Sequence, residues 1–181
     1  MAKKTVSKRL VIDASIARAA GGRPHPTSQH CTDFLETVRD EGHQMVMTPA
    51  IYGEWSRHEA RFAYRWRTSM VASKKIVFLR RDDVVNPALR EQIDQLDVTD
   101  KARQEMLKDV HLIEAALITD QTITSLNEQD RRRFASVCDT VTAIRAIIWV
   151  NPDRPEERCV EWLKNGSPPE KHRQPGYTIP E

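Results

Sequence analysis

An aspartate directly after a short apolar run is poorly explained by packing, and Asp13 holds that position in Leu10-Val11-Ile12-Asp13-Ala14-Ser15. Glu54 ends the stretch Thr48-Pro49-Ala50-Ile51-Tyr52-Gly53-Glu54, in the second turn of a helix begun by a Thr-Pro pair. Ile51, Trp55, His58 and Phe62 follow the 3–4 spacing of a buried stripe, with Glu54 at its edge. Asp109 shares a helix side with Leu112, Ile113 and Ala116, so it faces partly inward, where a carboxylate is costly unless something satisfies it. His111 and Glu114 are expected to face solvent or neighbouring loops. Asn127 and Glu128 follow a fourth apolar run, Ile123-Thr124-Ser125-Leu126. Each of these has an ordinary use: Asp13 and Asn127 can cap helices, and Glu54 and Glu128 suit a positive helix N-terminus. Taken together they are hard oxygen donors at the ends of strands, without Cys or paired His. That donor set suits Mg²⁺ or Mn²⁺. Carboxylates gathered so closely repel unless a cation or a proton separates them.

The basic residues admit two readings. Arg57, Arg61 and Arg65 recur every four residues on one side of the expected Glu54 helix, and Arg67, Lys74, Lys75, Arg80 and Arg81 follow. Arg131, Arg132 and Arg133 open the helix after the fourth strand. With Tyr64 and Trp66 as stacking surfaces they would bind a nucleic-acid backbone; as an ordinary solvated helix face they would bind nothing. Other phosphate chemistries lack their signatures. No G-x-G-x-x-G or G-x-x-x-x-G-K-[ST] follows a strand. Ser15 stands where an aspartyl-phosphate phosphatase wants a second Asp, and the hydrolase elbow G-x-S-x-G is missing.

Short apolar runs alternating with amphipathic ones must position these residues. Strands are expected at residues 10–12, 44–47, 76–79, 122–126 and 144–150. Helices are expected at 15–20, 27–40, 49–72, 86–96, 99–119, 128–138 and 155–164. The alternation predicts an α/β protein with a parallel sheet and helices on both faces, and ligand sites outside the carboxyl ends of the strands. The expected organisation is one domain over 9–165, a basic tail over 1–8, and a Pro-rich tail over 166–181 that buries no core face.

The four segments around Asp13, Glu54, Asp109 and Asn127, in that order, resemble the PIN domain family over about residues 9–150. The resemblance implies a three-layer α/β/α sandwich around a five-stranded parallel sheet. It also implies a Mg²⁺- or Mn²⁺-dependent endoribonuclease centre. Asp13, Glu54 and Asp109 match the family's three main acids. Ser15 matches a small hydroxyl residue near the metal, with Thr124 as a further support. The fourth acidic position, usually Asp, falls at Asn127, with Glu128 beside it as a substitute ligand. RNA, single-stranded or structured, is the implied substrate. Toxin-type members add an antitoxin protein as partner, and a homodimer is a further expectation. The alternative is a non-catalytic PIN-like domain for RNA or protein binding, which the amide at Asn127 favours.

Composition bounds the class. A chain of 181 residues, 39% hydrophobic and 30% charged, can bury one substantial core. Three cysteines without C-x-x-C spacing argue against a disulfide framework and a zinc site. No apolar run approaches the roughly 20 residues of a membrane span. With no secretory leader evident, a cytoplasmic location is expected. The net charge of +2 is too mild to identify a polyanionic partner.

Overall fold

Leu10, Val11 and Ile12 have no polar alternation, so a strand made from them needs cover on both faces. In the computed structural model, which describes residues 6–177, they lie in β1 (Arg9–Ile12), and all three are fully buried. Burying each side chain stabilises the fold by roughly 1.5–3 kcal/mol. β1 pairs in parallel with β2 (Gln44–Met47) on one side and β4 (Thr122–Thr124) on the other. β3 (Ile76–Phe78) and β5 (Ile148–Val150) complete an all-parallel sheet of order β3-β2-β1-β4-β5. Helices cover both faces, giving a three-layer α/β/α sandwich. α1 (Ala14–Ala19), α2 (Pro26–Asp40), α4 (Arg61–Ala72) and α9 (Cys159–Lys164) contact one another. α5 (Arg81–Val84), α6 (Pro87–Asp94), α7 (Asp100–Leu117) and α8 (Glu128–Val137) form a second group built on α7. α3 (Pro49–His58) touches both α1 and α7. The chain reverses its winding direction at β1, so the crevice between the carboxyl ends of β1 and β4 is the topological switch point.

The single helix expected over 49–72 is two. α3 ends at His58, and Glu59 and Ala60 are extended before α4 starts at Arg61. No Pro or Gly marks this break. Trp55 and Trp66 would sit about 16 Å apart along a continuous helix, yet their rings meet with centroids 5.9 Å apart. The indole of Trp55 donates to the Ile12 carbonyl and that of Trp66 to the Leu35 carbonyl. Glu59 holds the corner by a two-pronged pair with Arg67, and the Ala60 N–H bonds the Ala17 carbonyl. The Arg57, Arg61 and Arg65 stripe is therefore divided between two helices.

Smaller differences follow the same logic. Residues 142–146 form a 3₁₀ turn before β5, and the last expected helix is a 3₁₀ turn joined to α9 through Arg158 in a left-handed conformation. Residues 81–84, between the expected strand at 76–79 and the expected helix at 86–96, form α5. The segment after residue 165 is not peripheral over its described part. Arg173 is 5% exposed, donates to the Glu157 carbonyl and to Glu170, and stacks over the Trp162 ring. Residues 1–5 of the basic tail and 178–181 of the Pro-rich one lie outside the described residues. Among the described residues no helix is long and apolar enough to cross a membrane.

Arg173→Ala removes two hydrogen-bonded contacts and a cation–π contact together. Urea unfolding of the full chain should show a loss of about 1–3 kcal/mol. A truly peripheral tail would lose less than about 0.5 kcal/mol.

Candidate functional site

Asp13 directly follows β1, and its N–H bonds the Thr124 carbonyl at 2.9 Å, which docks it against the end of β4. Its carboxylate accepts from the Ser15 hydroxyl at 2.5 Å and the Ser125 hydroxyl at 2.7 Å. Ser15 also receives the Leu126 N–H, so one hydroxyl ties α1 to the loop after β4. The side-chain hydroxyl that supports the Asp13 carboxylate from this loop is that of Ser125, while Thr124 contributes its backbone carbonyl. Thr124 is fully buried, and its hydroxyl donates to the Val11 carbonyl within the sheet.

Glu54 arrives one residue before Trp55, whose indole bond to Ile12 fixes α3 over the end of the central strand. The Glu54 carboxylate lies 3.2 Å from His111 Nε2. Burial works against its charge, but the hydrogen bond and charge of His111 outweigh burial and hold it below the usual carboxylate range. Burial likewise opposes the charged form of His111, and Glu54 more than compensates, raising that imidazole. His111 was expected to face solvent and is 8% exposed; Glu114, with the same expectation, is 1% exposed. The reason is pairing: Arg90 and the Asn86 N–H saturate the Glu114 carboxylate.

Asp109 lies on α7 and Asp130 on α8. Burial, then the neighbouring Asp130 carboxylate, pushes Asp109 up to about 7. Asp130 is 4% exposed, receives the Asn127 amide, and pairs with Arg133 at 2.6 Å.

Asp13, Glu54, Asp109, Asn127 and Asp130 line one cavity of about 310 Å³ at the switch point, with Ser15, Arg18, Arg57 and Lys108 also in its wall. Comparison of the chain with protein-family models, with curated proteins and with solved structures finds no match.

Of the two candidates for the fourth donor, one lies elsewhere and the other is turned to a different task. Glu128 is not among the cavity's lining residues; it bonds the Asn151 amide and pairs with Arg131 and Arg154. Asp130, two residues on, takes the place assigned to it. Asn127 reaches the cavity, but its side-chain oxygen caps α8 at the N–H groups of Gln129 and Asp130. Helical spacing held the missing signal: with Asn127 at the cap, Asp130 is three residues into α8, where the cap amide can reach it. Of the basic residues, Arg57 lines the cavity, whereas Arg61 and Arg65 belong to α4 and are exposed. Arg131 is engaged by Glu157 at 2.5 Å; Arg132 is exposed.

The cavity's donors are oxygens, the ligand type that a hard divalent cation takes, and burial beside Asp130 favours the protonated form of Asp109. Among the described residues no three His, Cys, Asp or Glu side chains converge as a ready-made cage. Two of the carboxylates are turned to His111 and Arg133 instead.

Because Asp109 titrates higher in the folded chain than in the unfolded one, the folded state holds the extra proton between about pH 4 and pH 7. Stability therefore falls as pH rises through that window. Asp109→Asn removes the titration. Its melting temperature should exceed the wild-type value at pH 8 and match it near pH 4, with about 2–4 °C for each kcal/mol. A difference independent of pH would show that Asp109 carries no such strain.

Proposed function

We propose that this chain is a metal-dependent endoribonuclease of the PIN type, hydrolysing phosphodiester bonds of RNA. The observation that supports it most is the gathering of five carboxylates, Asp13, Glu54, Glu105, Asp109 and Asp130, in the wall of one cavity at the switch point of a parallel sheet. Asp13, Asp109 and Asp130 would hold Mg²⁺ or Mn²⁺, with Glu54 beside them and the Asn127 amide steadying Asp130. A divalent cation bound there supplies water activation and neutralisation of phosphate charge. The chain's own groups do the rest. Ser15 and Ser125 orient Asp13, and His111 keeps Glu54 ionised. Arg18, Arg57 and Lys108 bring positive charge to the cavity wall, which draws a polyanion toward an otherwise acidic site. The resemblance to the PIN family adds the expected products, with 5′-phosphate and 3′-hydroxyl ends.

Asp13→Asn is isosteric and removes only charge. Incubated with labelled RNA and Mn²⁺, the wild type should cleave and the variant should lose at least about 100-fold in rate, with an unchanged circular dichroism spectrum. Wild-type cleavage that persists in EDTA, or a fully active variant, would falsify the reading.

The pairing of Glu54 with His111 and of Asp130 with Arg133 favours a second reading, a non-catalytic RNA-binding domain, since both acids already have partners. It makes the same binding prediction without cleavage. In either case Arg57→Ala should lower the slope of log affinity against log salt by about one. An unchanged slope would leave Arg57 without a phosphate contact.

A further inference from the structure

A second cavity, of about 340 Å³, lies against the acidic one. Its wall includes Pro49 and Ala50 from the start of α3, and Val84 and Val85 from the end of α5. His111 also lines it, and the Nε2 of the same ring meets Glu54, which lines the acidic cavity. The two cavities are thus separated by one pair of side chains.

The chemistry of the second cavity differs from that of the first. The buried acid in its wall, Glu114, has both oxygens taken by Arg90 and by the Asn86 N–H. That leaves no free anion to repel a nucleic acid. Arg90 is fixed by the same pair, which uses its Nε and Nη2. Arg81 lies at the edge, exposed and without an ion pair among the described residues. Most of the remaining wall is apolar, so a free phosphate would gain little by entering. A flat, mostly apolar group with a polar edge fits better, and guanidinium planes such as those of Arg81 and Arg90 are surfaces on which bases stack. The volume is at the lower end of the range for ligand pockets, about 300–1,000 Å³, and is sufficient for one base but not for a duplex.

We propose that this cavity receives one unpaired nucleobase of the RNA strand whose phosphate lies in the acidic cavity, so that the chain acts on single-stranded or splayed RNA and reads the nucleotide beside the cut. The proposal rests on the nuclease reading above, and its test separates the two. Adenosine carries no phosphate, so it reports the base site alone. Added to the full chain in EDTA, it should shift the methyl resonances of Val84 and Val85. Ala50→Trp, at an exposed helix position, fills the cavity and should abolish that shift; Arg81→Ala should weaken adenosine binding roughly threefold or more. With Mn²⁺, an abasic nucleotide walked along a labelled RNA should slow wild-type cleavage roughly tenfold at one position beside the cut. The Ala50→Trp variant should be slow on intact RNA and indifferent to the abasic position. No methyl shift with adenosine, or an equal shift in Ala50→Trp, overturns the base site even if RNA is cleaved. A shift lost in Ala50→Trp supports it, and if RNA is then not cleaved, the nuclease reading falls with the placement beside a cut, while the base site stands.

Discussion

The hydrogen bond from the Trp55 indole to the Ile12 carbonyl joins the central strand to the helix that carries Glu54. Ile12 is the last residue of β1, and Asp13 is the next. One bond therefore sets the separation of two acids that are 41 positions apart in the chain. Trp55 is fully buried, so the bond is protected from water and the ring contributes a large buried apolar area. Its cost falls on the chain after it. With Trp55 anchored to β1 and Trp66 anchored to α2, the helix cannot continue, and Glu59 and Ala60 turn the corner.

The electrostatics of the acidic cavity follow from which carboxylates found partners. Asp13 has two hydroxyls, Glu54 has His111, and Asp130 has Arg133 and the Asn127 amide. Asp109 has burial and a like charge, and it is driven toward neutrality. The neighbouring cavity shows the opposite arrangement. Glu114 is more deeply buried than Asp109, yet it is matched by a guanidinium and a backbone N–H, which suits a wall rather than a ligand.

Much of this was legible in the sequence, for identifiable reasons. The run Leu10-Val11-Ile12 announced a strand covered on both faces, and Asp13 marked its carboxyl end. The Thr48-Pro49 pair marked the start of α3 and, with it, the height of Glu54 above the sheet. Thr48 indeed caps that helix through the Ile51 N–H. Asp109 was identified by its place beside a core stripe. These are local patterns, fixed by strand and helix periodicity and by capping chemistry.

What the sequence by itself determined is the α/β alternation, the parallel sheet and the presence of Asp13, Glu54 and Asp109 on elements that end at one edge. What only the tertiary structure decided is which neighbours those acids met. Asn127 and Glu128 both looked like the fourth donor, yet Glu128 is drawn into the arginines and amide around Asn151, and Asp130 lines the cavity in its place. His111 and Glu114 looked solvated, yet each is buried against a partner distant in the chain, Glu54 and Arg90. The break after His58 has no local signal at all. The physical reason is common to all three. Backbone periodicity and caps are set by residues within a few positions, whereas the burial of a charge is decided by whether an opposite charge or a donor arrives from elsewhere in the fold.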